Sequence, residues 1–316
     1  MAHEDETIYF GSGDRKIWAL TSTGMTKWQY LTTQPIIATP LAMRETTLAD
    51  GTVSSAGLII GGLDGWVYKL NVDGSLAWKF NTTGQVRGAA ALTREGHVIV
   101  GSTDKHLYCL HSGSGAQLWN YSAGQEVTSS AVIQDVSITF GTRKDSTGPG
   151  RIIALKKDGT LRWELTVTSS VEGDVIEDAR TGTVYAATND GKIYAVQADG
   201  RMQWRYLTGG AGGVCGDYSK SDDGEASPSE NTKCSFSELG AHGATSPCLL
   251  GDVIITTSQN KFVYGLALDG RLLWKFPTEK RIRSPPQCLK SSDLFGVVTN
   301  TVLSASNDRH LYSLSV

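Results

Sequence analysis

Cysteine is scarce in this 316-residue chain, with five residues and no CxxC pair, which excludes a disulfide-rich scaffold and the usual spaced thiolate sites for zinc. The six histidines, His3, His97, His106, His111, His242 and His310, show no metal-ligand spacing with another His, Cys or Asp, so no metal is expected. No apolar run is long enough to cross a bilayer, and the opening MAHEDETIYF carries acid where a secretory signal needs basic and then apolar residues. Membrane insertion is therefore not expected, and the compartment, which nothing in the sequence names, defaults to the cytoplasm. Positive charge is not in excess: 29 Lys and Arg stand against 32 Asp and Glu, a net charge of -3. Nucleic acid is not an expected partner. GxxxxGK[ST] and GxSxG strings are absent, and Gly11-Ser12-Gly13 lacks the third glycine of a dinucleotide fingerprint.

Proline is sparse at 8 residues while glycine is abundant at 36, which favours tight turns over disorder. With 40% hydrophobic residues the chain has ample apolar surface for a core. Two sequons, at Asn81 and Asn120, are about the number chance supplies and argue nothing about secretion.

One unit recurs: a short apolar run ending in Gly or a small residue, a turn with Asp or Asn, a run ending in aromatic-x-Leu, a second turn with Gly, and a run carrying Trp. Examples are LIIGGLDGWVYKLNVDGSLAWKF from Leu58, VIVGSTDKHLYCLHSGSGAQLWNY from Val98 and VIITTSQNKFVYGLALDGRLLWKF from Val253. Six copies keep the Trp, at Trp28, Trp78, Trp119, Trp163, Trp204 and Trp274, with spacings of 50, 41, 44, 41 and 70. A period near 40 built wholly of short strands predicts an all-β propeller of four-stranded blades, with these Trp residues as structural docking groups. Continuously apolar runs such as Val98-Ile99-Val100 fit strands buried on both faces. The turn pairs Asp64-Gly65 and Asp73-Gly74 read as hairpin chemistry rather than as ligands.

After each Trp run comes a stretch of small residues, IIATPLA from Ile36, VRGAAAL from Val86, VTSSAVI from Val127, VEGDVIE from Val171, GATSPCLL from Gly243 and IRSPPQCL from Ile282, expected as innermost strands lining a narrow channel. Counting gives six innermost, seven second, seven third and six outermost strands. About seven blades follow, the first lacking its inner strand and the last its outer one; the alternative is part of an eight-bladed ring. The expectation is one propeller domain over 1–316, a fragment of a longer protein or a ring that closes imperfectly. Insertions interrupt the period at 43–57 and 209–243, the second Gly-, Ser- and acid-rich.

Cys109, Cys248 and Cys288 fall in strand-like segments and are expected as buried free thiols, while Cys215 and Cys234 share the polar 209–243 loop, where a disulfide is an open alternative.

The core CLHSGSGAQLW, Cys109 to Trp119, resembles the tryptophan-docking motif of PQQ-like repeat, or quinoprotein-type, propellers, and the six recurrences extend the resemblance over nearly the whole chain. The resemblance implies either of two functions. Quinone dehydrogenases of this superfamily carry PQQ with calcium and an adjacent Cys pair, and no such pair is present. Compact relatives, among them the lipoprotein of the outer-membrane barrel-assembly machine and propellers appended to acyl-activating enzymes, are scaffolds without a cofactor, and the short repeats here are similar to those. The expected function is therefore a noncatalytic scaffold that binds a protein or peptide, with no cofactor. The alternative is a quinone-dependent dehydrogenase or small-ligand sensor.

Candidate residues follow from the two surfaces. Arg87, Glu172, Asp174 and Arg283 fall on the inner stretches, where they would bind an acidic or zwitterionic ligand at a channel mouth or pair with one another. Arg15, Lys16, Lys105, Arg143, Lys144, Lys261 and Arg309 cluster at turns between second and third strands, on the face shared with Arg87 and Arg283, and would meet an acidic partner. The 209–243 loop is a further contact candidate.

Overall fold

Each repeat becomes one antiparallel sheet because each of its apolar runs is too short for anything but a strand, and each is closed by a turn-forming pair. The computed structural model describes residues 7–48, 50–208, 244–290 and 300–316, and the backbone alone of 214–215, 291–292 and 298–299. Two compact units divide the chain, Met1–Glu164 and Leu165–Val316.

In the first unit the first sheet has three strands, Ile8–Gly11, Lys16–Leu20 and Thr26–Leu31. The second has four, Leu41–Met43, Gly57–Gly61, Trp66–Asn71 and Leu76–Asn81, in that order. The third is Ala91–Leu92, His97–Gly101, His106–His111 and Gln117–Ser122, and the fourth is Val132–Ile133, Ile138–Gly141, Gly150–Leu155 and Leu161–Val167, its last residues running past the unit boundary. In the second unit the fifth sheet runs Ile176–Asp178, Thr183–Ala187, Lys192–Val196, Met202–Leu207 and a short fifth strand Val214–Cys215. The sixth runs Cys248–Leu250, Val253–Ser258, Phe262–Ala267 and Leu272–Pro277; the seventh has three strands, Gln287–Ser292, Val298–Ala305 and Leu311–Ser315. Among the described residues the first and last sheets each have three strands, in line with the count read from the repeat.

Within each unit neighbouring sheets pack face to face, which buries second strands such as Gly57–Gly61 and Thr183–Ala187 along their whole length. The aromatic-x-Leu step carries a bulge in five sheets, between Ala19 and Leu20, Lys69 and Leu70, Cys109 and Leu110, Ala195 and Val196, and Gly265 and Leu266. Trp28, Trp78, Trp119 and Trp204 dock on the next sheet. Trp28 donates its indole N–H to Val72 O at 2.8 Å, Trp78 to Ser112 O at 2.9 Å and Trp204 to Leu268 O at 2.8 Å. The ring then lies on a turn glycine: a Cβ at Gly74, Gly115, Gly159 or Gly270 would stand 2.7 Å from the ring of Trp28, Trp78, Trp119 or Trp204. Since these glycines also hold positive φ, 72° at Gly115 for example, no other residue serves as well.

The turn aspartates make a second tie between sheets. Asp64 Oδ2 accepts from Tyr68 Oη at 2.7 Å and from Thr33 Oγ1 of the preceding repeat at 2.9 Å; Asp104 does the same with Tyr108 at 2.8 Å and Thr83 at 3.3 Å. Asp190 accepts from Thr168 at 2.6 Å, and Asp308 from Tyr312 at 2.9 Å. Burial and the adjacent carboxylates raise the Tyr68 and Tyr108 hydroxyl pKa values. The aspartates are therefore structural, as their recurrence from turn to turn suggests.

Two expectations need correction. The small-residue stretches are strands only in their last residues: Ile36, Val86 and Val127 instead turn their N–H groups to the carbonyls of Ser12, Gly62 and Ser102 at 3.1, 3.0 and 3.0 Å, so the chain crosses the sheet edge before it joins the next sheet. Cys248 and Cys288 are not free thiols but form a disulfide joining the inner strands of the sixth and seventh sheets. Cys109 is free and buried, and burial pushes its thiol up to about 12, so it behaves as a small hydrophobe. The Cys215 and Cys234 pairing, and the 209–243 loop as a contact site, lie outside the residues whose side chains are described.

The 43–57 insertion is an ordered hairpin. Its strands Thr46–Thr47 and Val53–Ser54 pair, and Leu48 packs over Gly96 of the third sheet.

Candidate functional site

The turn between second and third strands uses one backbone device in every sheet where its Asp or Asn is kept. The residue after it holds positive φ, at Arg15 67°, Gly65 81°, Lys105 76°, Gly191 80°, Lys261 75° and Arg309 72°. Its carbonyl is thereby aimed at the outer strand's end. Thr32 donates N–H and Oγ1 to Arg15 O, Thr82 to Gly65 O, Thr208 to Gly191 O and Thr278 to Lys261 O. Glycine suits this backbone, yet four copies place Lys or Arg there.

Of these basic residues Arg15, Lys261 and Arg309 are exposed, and among the described residues they make no ion pair. Lys105 reaches Asp145 at 3.6 Å and Thr147 at 3.3 Å. Lys16 lies in a strand, bonds Gln29 at 2.9 Å and sits 5.1 Å over the Trp18 ring. Arg143 pairs with Glu126 at 3.2 Å, and Lys144 is exposed.

The crossing segments are stitched to the turn of the following sheet. Thr103 donates its N–H to Gln85 O at 2.9 Å, Arg143 to Glu126 O at 2.9 Å, Asn189 to Ser170 O at 2.9 Å and Asn307 to Arg281 O at 3.0 Å. Two residues beyond each acceptor stand Arg87, Thr128, Glu172 and Arg283, each next to a buried branched residue, Val86, Val127, Val171 or Ile282. In the sixth sheet Ala244 bonds Thr188 O as Val86 bonds Gly62 O, so Thr245 takes the place that alignment gives to Ala244. Small residues in these segments permit close approach: a Cβ on Gly88 would stand 2.6 Å from Ser129 O, and one on Gly173 2.7 Å from Ser246 Oγ.

Within the first unit this geometry opens a pocket of about 370 Å³ across three sheets. Its wall is the turn Leu63 to Gly65, Gln85 and Arg87 of the crossing, Thr103 of the next turn, and Glu126 with Arg143. Arg87 thus lines one pocket with the turn Leu63 to Gly65 and with Arg143. Its guanidinium donates from Nε and Nη2 to Gln85 Oε1 at 2.9 and 2.7 Å, and it makes no ion pair among the described residues.

Glu172, Asp174 and Arg283 belong to the second unit and are exposed. Asp174 takes Ser246 Oγ on its N–H at 2.7 Å. Among the described residues no three His, Cys, Asp or Glu gather as cation ligands. Among the described residues no helix is long and apolar enough to cross a membrane.

Lys69 departs from the repeat. It is 1% exposed, and its Nζ donates to Ser54 Oγ of the inserted hairpin at 2.7 Å and Ser112 O at 3.1 Å. Burial pulls its pKa down to about 8. The signal was in the repeat: the x of aromatic-x-Leu is Ala19, Cys109, Ala154, Ala195, Gly265 or Ser313 elsewhere, and Lys only in the copy with the 43–57 insertion. His111 holds the same hairpin, with Nε2 3.1 Å from Asp50 Oδ2.

A family model described as outer membrane protein assembly factor BamB matches residues 63–144 and 138–225. Among solved structures the chain is similar to BamB from Moraxella catarrhalis, with TM-score 0.56 and 16% identity over 99% of this chain and 95% of that one. It is also similar to Sqt1 from Saccharomyces cerevisiae, with TM-score 0.72 and 12% identity over 98% of this chain and 81% of that one. No curated protein matches it. The fold is a β-propeller of about seven blades.

Proposed function

The chain belongs to the PQQ-like propeller family described as outer membrane protein assembly factor BamB, and from that premise we propose that it is a noncatalytic scaffold module that binds a protein partner through its basic turns. The observation that carries this reading is the set of turn residues Arg15, Lys105, Lys261 and Arg309. Each holds a left-handed backbone that glycine fills at Gly65 and Gly191. A non-glycine residue there costs about 1 kcal/mol, and all four residues that bear this cost are cationic. Local strain retained with one charge sign is expected where a surface meets an acidic partner, since complementary charge steers encounter and fixes register.

Rigidity supports the same reading. The Trp and Asp residues that look like chemistry in the sequence are spent on joining sheets, so the turns are presented on a frame that pays little ordering entropy on association.

A melting titration of the purified chain with PQQ and calcium, read beside its absorbance as isolated, tests the proposal. No saturable shift and no chromophore are expected. A saturable rise in Tm or bound chromophore would overturn the scaffold reading and direct attention to Glu172 and Asp174.

A further inference from the structure

The charges around the pocket in the first unit do not balance in kind. Asp64 is fully engaged, by Tyr68 Oη at 2.7 Å, Thr33 Oγ1 at 2.9 Å and the N–H groups of Thr33 and Trp66, each at 3.2 Å. Glu126 is taken by Arg143 at 3.2 Å. Arg87 meets only the neutral amide of Gln85. One cation in the pocket is left without a carboxylate.

Its orientation is set in advance. Gln85 is pinned by two bonds to the third sheet's turn, its N–H to Thr103 Oγ1 at 2.8 Å and its carbonyl to Thr103 N–H at 2.9 Å. Its Oε1 then occupies the Nε and Nη2 side of the guanidinium, which leaves the Nη1 edge of the fork with no partner among the described residues. A fixed guanidinium edge is the geometry that binds a carboxylate through two parallel bonds.

We infer that this pocket takes a carboxylate side chain from an acidic segment of the partner protein, with Arg87 as the anchor and Gln85 as its positioning residue. The inference rests on the proposed scaffold function and adds the chemistry of one contact. A single carboxylate fits better than phosphate because a dianion would bring two charges to one uncommitted cation beside Asp64 and Glu126. The pocket is also not a by-product of the repeat, since the equivalent positions hold Ile37, Thr128, Glu172 and Thr245, and only Arg283 repeats the arginine. Lys105 and Lys144, on the adjoining turns, extend the basic surface along which the flanking acidic residues would lie.

The test is fluorescence anisotropy of the whole chain with a labelled hexaglutamate peptide, acetylated and amidated at its ends. The wild type is expected to bind it with salt-sensitive affinity, Arg87→Ala about five- to tenfold more weakly, and Arg87→Lys in between. Arg87 is exposed, so the variants are expected to keep the wild-type Tm, which is measured alongside. No binding by the wild type would overturn both the acidic-partner reading and the anchor. Binding that Arg87→Ala leaves unchanged would overturn the anchor alone. A hexaglutamine peptide with a free C-terminus that binds as tightly would overturn the side-chain assignment, and displacement by equimolar inorganic phosphate would overturn the choice of carboxylate.

Discussion

Replacing Lys69 with Met removes a buried charge while keeping the length of the side chain, and the consequence can be worked through. Unfolded, this lysine titrates near its ordinary 10.5; folded, its ammonium has lost water and gained one hydroxyl and one carbonyl, and its pKa falls to about 8. A base whose folded pKa is depressed binds fewer protons folded than unfolded between those values, so stability rises with pH through that window. Linkage over 2.5 units gives a rise of about 3 kcal/mol from pH 7 to pH 10.5, of which about 1.5 kcal/mol falls between pH 7 and pH 9. The Met variant lacks this dependence. Urea unfolding of both proteins at pH 7 and pH 9, with m checked for constancy, isolates the lysine because every other titrating group is common to both. The wild type is expected to gain on Lys69→Met by about 1.5 kcal/mol over the interval. A difference that stays flat, or moves the other way, would refute the claim that this ammonium is desolvated.

Two further outcomes concern the joints between blades. The disulfide closes a loop with sequence separation 40, which the chain-entropy model converts to about 4 kcal/mol. The Cys248→Ala/Cys288→Ala variant is therefore expected to unfold at lower urea concentration by about 3–4 kcal/mol, and non-reducing peptide mapping of the wild type should recover the two cysteines in one linked peptide. That pairing also tests the cytoplasmic default, since such bonds persist in oxidising compartments. Gly115→Ala puts a Cβ 2.7 Å from the Trp78 ring at φ 72°, and is expected to cost at least about 2 kcal/mol in the same assay.

Much of the fold was legible because a propeller repeats its instructions. The Trp spacing, the second strands and the strand count all survive because each copy is an independent statement of the same unit. The inner strands were overread. Val86 and its equivalents are apolar and extended, but their N–H groups go to a turn carbonyl, a partner that only the folded register names. The disulfide was hidden for a related reason: Cys248 and Cys288 stand one blade apart in sequence and meet only when neighbouring inner strands are set side by side.

The site was legible in part. Arg87 and the basic turns could be found from their place in the repeat. What could not be found was the company Arg87 keeps. Gln85, Thr103 and Glu126 come from two crossings and a turn, and their roles depend on distances that no spacing encodes. Lys69 was readable as the one large residue at a small position, but its meaning needed the hairpin that carries Ser54.

The central claim, that the basic turns bind a partner by charge, is met most directly by changing Arg15, Lys105, Lys261 and Arg309 together to Gly. Glycine accepts the same φ, so the relief of strain and the added chain entropy largely cancel, and stability is expected to hold within about 1 kcal/mol. Affinity capture from the host, quantified by mass spectrometry for wild type and variant in parallel, is then the measurement. Partners bearing acidic segments that are enriched by the wild type and fall at least about fivefold with the stable variant are the predicted result. An unchanged set of partners on both proteins would contradict the account.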